Sequence, residues 1–208
     1  MKLLFDDLWE TETESPFPGL TTHAYLLLRE DGNVLFYNTS QPEDIDQMAE
    51  LGGVSWQLLS HRDELVDSLL TLRERFSCQL GGHQSEMADF AHYCVPDLVF
   101  TRRERILDDI EVIPTPGHTP GSCCFQARSS TGRIYLFTGD TLYLSDDEWK
   151  PGLLSFSDPD KLAESLMLLQ TLEPDVVFSS AFSGQSGYQE VSGHWQEKVR
   201  EAMTDPRL

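Results

Sequence analysis

Apolar and polar residues alternate along the chain in short blocks, a pattern that predicts short strands interleaved with helices. Ala24–Leu28 and Val34–Asn38 are apolar runs separated by the turn Asp31-Gly32-Asn33, as in a β-hairpin. Pro42 followed by Glu43, Asp44 and Asp46 opens a helix, because acids are favoured in the first turn, and Gly52-Gly53 closes it. Trp56–Leu59 is a short apolar strand that stops at Ser60–Glu64. Leu65, Leu69, Leu72 and Phe76 then recur at helical spacing. Cys78–Leu80 predicts a strand and Glu86–Tyr93 a short helix. Leu98–Phe100, Glu111–Ile113, Cys123–Gln126 and Tyr135–Phe137 predict four more strands, the last two joined by the polar turn Ser129–Gly132. Asp158-Pro159 caps a helix running to about Leu172. Val176–Phe178 reads as a final buried strand, and His194–Met203 as a terminal amphipathic helix. Strands first, then strands alternating with helices, argue for an α/β domain.

Composition supports that reading. The chain has 208 residues, 39% of them apolar, enough for one domain (residues 1–208) with a sizeable core. The charge balance changes the picture more. Fifteen Lys and Arg stand against 35 Asp and Glu, a formal net charge of −20. Such a surface repels phosphate backbones and anionic lipid, so neither nucleic acid nor membrane is expected as a partner. A small-molecule substrate or ligand is expected instead, with the oligomeric state open. The one basic cluster, Arg102, Arg103 and Arg105, is flanked by acids and reads as a solvated turn. No segment approaches the roughly 18 apolar residues of a membrane span. Met1–Glu14 lacks a basic-then-apolar signal pattern, so a cytoplasmic location is expected. Cys78, Cys94, Cys123 and Cys124 form no CxxC pair and read as reduced, buried thiols. Cys123 and Cys124 are adjacent on a strand and should point to opposite faces.

Three polar loops follow apolar strands: Ser60–Glu64, Pro114–Ser122 and Thr138–Asp140. Ligand sites in α/β folds gather at such strand ends. In Pro114-Thr115-Pro116-Gly117-His118-Thr119-Pro120-Gly121-Ser122 two Pro-Gly steps flank a histidine. A backbone that tight pins the imidazole, as a metal ligand or general base requires. Asp140 follows Gly139, which lets the chain turn sharply and project the carboxylate. His118 and Asp140 thus end neighbouring strands and face one polar site, suited to a metal or to acid–base work. His83 reads as a loop residue, and His92 and His194 as helix-surface residues. Trp149 and Tyr143 are packing or pocket residues, and Asp146-Asp147-Glu148 a solvated loop.

These residues resemble the metallo-β-lactamase fold hydrolases from about His23 to about Gly187. His23-Ala24-Tyr25-Leu26-Leu27 looks like their opening strand, Pro114–Ser122 like their third metal-histidine loop, and Phe137–Leu142 like their bridging-aspartate segment. The resemblance implies a four-layer αββα sandwich with a metal site at one edge of two sheets. It also exposes departures. The family's His-x-His-x-Asp-His motif meets Ser60-His61-Arg62-Asp63-Glu64-Leu65 here. In one register His61 takes the first histidine, Asp63 the second, and Leu65 and Val66 the last two places. In the other, preferred, register Leu59 takes the first place, His61 the second, Asp63 keeps the aspartate role and Glu64 replaces the last histidine. The latter resembles a divergent branch with a His-x-Asp-acid sequence. The family's final histidine has no counterpart in Ser179–Gly184.

The candidate metal ligands are therefore His61, Asp63, Glu64, His118 and Asp140, two imidazoles and three carboxylates. A dinuclear zinc site in this fold draws on about five imidazoles. The oxygen-rich set expected here suits one divalent ion, Mn, Fe or Mg ahead of Zn, or none. Such an ion would polarise an ester, thioester or amide carbonyl, with Asp63 or Asp140 as proton acceptor. The alternative is a non-catalytic binding or scaffold protein, in which Asp63 and Glu64 merely cap the following helix.

Overall fold

Burial of alternating apolar side chains brings the short strands into two large sheets that face one another. The computed structural model describes residues 1–208, the Phe17 side chain excepted. The first sheet has seven strands in the order Lys2–Phe5, Leu8–Glu10, Tyr25–Leu27, Val34–Phe36, Trp56–Leu58, Gln79–His83 and Leu98–Phe100. The second has six: Glu104–Ile106, Ile110–Pro114, Cys123–Arg128, Ile134–Gly139, Val176–Ser179 and Tyr188–Glu190. A five-stranded sheet links Glu148–Pro151, Leu142–Ser145, Ala181–Ser183, Leu20–Thr22 and Glu14–Phe17. The helices are α1 (Pro42–Glu50), α2 (Ser68–Phe76), α3 (Met87–Phe90), α4 (Pro159–Leu169) and α5 (Trp195–Ala202).

The facing surfaces share an aromatic core. Phe36 of the first sheet stacks on Phe137 of the second with ring centroids 3.8 Å apart, and Phe137 stacks on Phe178 at 4.9 Å. The opposite face of the second sheet presents Ile113, Cys124, Leu136 and Val177 to Leu162, Leu166 and Leu169 of α4 and to Trp195 and Val199 of α5. Burying each such leucine contributes on the order of 2 kcal/mol. On the far side of the first sheet, α1 buries Ile45 and Met48, while α2 buries Leu69 and Leu72. The layers run helix, sheet, sheet, helix, as expected of an αββα sandwich. Cys123 lies in the inter-sheet core and Cys124 under the helices, the opposite-face placement that strand geometry requires. Asp158 caps α4 by accepting from the Lys161 N–H at 3.1 Å.

Several expectations are corrected. The helix after Ser60–Glu64 starts at Ser68, not Leu65, because Arg62–Glu64 forms a 3-10 turn and Leu65 is extended. Leu65 is still buried, but Val66 is exposed. Arg105 is no turn residue: Glu104–Ile106 pairs with Ile110–Pro114, and Arg103 holds Glu111 at 2.8 Å. The acidic first 14 residues contribute three strands, including Glu14–Phe17. Val176–Ser179 is followed by two more strands, Ala181–Ser183 and Tyr188–Glu190, both short and polar enough to read as loop. Among the described residues no helix is long and apolar enough to cross a membrane.

Candidate metal centre

The loop Pro114–Ser122 folds on itself before it presents His118. Thr115 N–H donates to the Ser122 carbonyl at 2.8 Å and Gly117 N–H to the Thr119 carbonyl at 3.1 Å. Thr119 N–H donates to Ser122 Oγ at 2.9 Å. Glu86, buried at the start of α3, reaches the same loop and accepts from Thr119 Oγ1 and from Gly121 N–H. The imidazole of His118 is only 2% exposed. Its Nδ1 lies 2.8 Å from the Gly152 carbonyl. With the proton on Nδ1 this is a donated hydrogen bond, and Nε2 is left with its lone pair free. That Nε2 is buried and has no hydrogen-bond partner among the described residues.

His61 is set in a parallel way. Its Nδ1 is 2.8 Å from Ser60 Oγ and 3.2 Å from Glu64 Oε1, so its Nε2 points to the centre. The two rings meet edge to face, centroids 4.8 Å apart. Single ligand atoms of His61, Asp63 and His118 all lie within 4.8 Å of one another. Asp140 Oδ2 is 3.4 Å from His61 Nε2 and 3.8 Å from His118 Nε2, while Asp63 Oδ2 is 3.5 Å from His118 Nε2. His118 and Asp140 thus share one site. Asp63 faces His118.

Glu64 departs from the expected ligand set. Its carboxylate turns away from the cluster to accept from Ser60 N–H at 2.8 Å and from Ser60 Oγ, beside His61 Nδ1. The buried Ser60 N–H requires an acceptor, and Glu64 supplies it. Glu64 therefore orients His61, as carboxylates commonly orient metal-binding imidazoles. Leu59 is packed with Leu69 and Leu80.

The turn carrying Asp140 rests on parts that no motif announced. Tyr37 is fully buried with φ +71°, an uncommon conformation for a bulky residue. Its hydroxyl donates to the Phe178 carbonyl at 2.9 Å and accepts from Gly139 N–H at 2.8 Å. Gly139 has φ +56°, and a Cβ there would meet Ser60 Oγ at 2.2 Å. Asp140 Oδ1 accepts from Ala181 N–H at 3.0 Å, which leaves Oδ2 for the site.

The electrostatics follow from this packing. Burial alone would lower the His61 pKa, but the Asp140 and Glu64 carboxylates outweigh it and hold the pKa well above the ordinary value. Burial would raise Asp140, yet His61 and His118 bring it down to about 2. Asp63 is lowered, chiefly by His118. Two imidazole nitrogens and two carboxylates thus converge, with each imidazole's other nitrogen engaged. That donor set fits a divalent cation. Among the described residues, His83, His92 and His194 lie outside the metal-ligand cluster. Trp149 is a packing residue, edge-on to Trp195 at 5.6 Å.

Comparisons with known proteins follow the same lines. The family profile described as the Metallo-beta-lactamase superfamily matches residues 97–181, which span the His118 and Asp140 loops. No curated protein matches the chain in sequence. Among solved structures, a metallo-β-lactamase from Pontibacter korlensis superposes with TM-score 0.75 at 15% identity, covering 98% of each chain. A β-lactamase from Chitinophaga pinensis gives 0.67 at 13% identity, covering 90% of each. A B3 metallo-β-lactamase described as having an active-site glutamic acid gives 0.66 at 16% identity, covering 93% of this chain and 89% of that one. The chain has the metallo-β-lactamase fold.

Proposed function

We propose that the chain is a metal-dependent hydrolase with one oxygen-rich site built from His61, Asp63, His118 and Asp140. The observation that carries this reading is the His118 Nε2, buried without a hydrogen-bond partner and facing His61 and two carboxylates. A buried acceptor left unpaired costs about 1–3 kcal/mol, a cost that a bound cation removes. A divalent ion there would supply a Lewis acid for an ester, thioester or amide carbonyl and lower the pKa of water. The mixed nitrogen and oxygen donors favour Mn, Fe or Mg over a dinuclear zinc pair.

The two aspartates divide the remaining work. Asp140 is clamped by Ala181 and is a fixed anionic support. Asp63 is 42% exposed at its side chain, so it can exchange protons with solvent. It accepts the proton of the attacking water and returns it to the leaving group. Glu64 keeps His61 oriented through Ser60 and its own carboxylate beside Nδ1. The test is elemental analysis of protein purified without chelator, with melting measured on adding Mn, Fe or Zn. One equivalent of metal and a rise in melting temperature support the hydrolase. No ion and no rise would favour the alternative, a non-catalytic binding protein of this fold.

A further inference from the structure

The mouth of the centre carries one cation whose donors are unspent. Arg62 follows His61 in the chain, and its closest acidic atoms are Asp63 Oδ1 at 4.0 Å and Asp89 Oδ2 at 3.9 Å, both beyond hydrogen-bond distance. Five other arginines, Arg29, Arg73, Arg103, Arg133 and Arg207, each hold a carboxylate at 2.8 Å or less. Arg62 is held instead by an aromatic face, its guanidinium carbon 5.2 Å from the Phe156 ring centroid. Phe156 is itself half exposed, 6.1 Å from the His118 ring. Stacking fixes the guanidinium plane and leaves its N–H edge free. A cavity of about 340 Å³, lined by Arg62, Asp63, Leu65, Asp89, His92 and Tyr93, opens beside it.

Three facts bear on what that edge would bind. The chain carries a net charge of −20, whose general field repels an anionic substrate, so a carboxylate can be held only against a local cation. The guanidinium fork matches a carboxylate in two parallel hydrogen bonds. Asp63 adjoins Arg62, its Oδ1 4.0 Å from Arg62 Nε, so a group held by Arg62 lies beside the cluster of His61, Asp63 and His118. We propose that Arg62, oriented by Phe156, binds a second, non-reacting carboxylate of the substrate, which makes the substrate class acidic esters, thioesters or amides. This rests on the hydrolase reading.

The experiment compares monophenyl succinate with phenyl butanoate, two esters of equal length that differ in a terminal carboxylate, on Mn-loaded protein. The native chain is expected to favour the succinate ester at least tenfold in kcat/KM. Arg62→Ala should bring the two esters within threefold, and Arg62→Lys, which keeps the charge but loses the fork, should fall between. An unchanged preference in Arg62→Ala, or equal losses on both esters, would overturn the proposal. If neither ester is turned over, the hydrolase reading fails and calorimetry decides separately. Succinate binding at least tenfold more tightly than butanoate, with the difference lost in Arg62→Ala, upholds the carboxylate site. Equal binding of the two acids to the native chain overturns it.

Discussion

Glu10 offers a worked test of how the first sheet is buried. It lies opposite Tyr25 in the antiparallel ladder, with its side chain 8% exposed and its Oε1 3.7 Å from His23 Nε2. Glu10 Oε1, His23 Nδ1 and Tyr25 hydroxyl are all buried without hydrogen-bond partners. Burial pushes the Glu10 pKa up from 4.5 to about 7. The native state therefore holds this proton more tightly than the unfolded chain does. Its contribution favours folding below pH 4.5 and is lost as pH rises through about 7. A shift of this size corresponds to about 3 kcal/mol at 1.36 kcal/mol per unit. His23 acts in the opposite sense: burial lowers its pKa to about 4, so stability falls as pH drops from 6.5 toward 4. The two slopes oppose each other between pH 4.5 and 6.5, and the melting curve of the native chain alone would hide both. The difference between the native chain and Glu10→Gln isolates the first. At pH 8.5 the variant should be more stable by up to about 3 kcal/mol, roughly 6–12 °C in melting temperature for a chain of this size. At pH 5 most of that advantage should be gone. A difference that stays flat from pH 5 to 8.5 would refute the burial of an uncharged Glu10.

Two substitutions test the supports of the centre. Tyr37→Phe leaves the buried Gly139 N–H unpaired; it should cost about 1–3 kcal/mol in denaturant unfolding and weaken metal binding, because the Asp140 turn loses its anchor. Glu86→Ala strips Thr119 Oγ1 and Gly121 N–H of their acceptor, and should reduce metal affinity about tenfold by calorimetry, the size typical of outer partners of metal ligands. Unchanged metal affinity in both variants would mean that neither residue positions the site.

What the chain revealed before its structure was known depended on how local each signal is. The two Pro-Gly steps around His118 and the Gly before Asp140 act through their own backbone, so both corners were legible as loops. The α/β class followed from blocks of apolar residues, and the four-layer order from the resemblance. The direction of Glu64 was not legible, because a 3-10 turn has no side-chain periodicity long enough to show in sequence. Tyr37 was missed for a different reason: its role depends on a positive φ and on contacts with residues about a hundred and more positions away. The first strands were hidden by acidic residues. Glu10 in particular is charged by type yet buried by position.

The central claim is that His61 and His118, with two aspartates, hold one divalent ion. The most direct measurement is pulsed electron paramagnetic resonance of the Mn-loaded native chain and His118→Ala, with metal stoichiometry measured on the same samples. One ion per chain with two imidazole nitrogen couplings, falling to one coupling or to no bound ion in His118→Ala, is the expected result. An absence of imidazole couplings in the native chain, or a spectrum unchanged by His118→Ala, would contradict it.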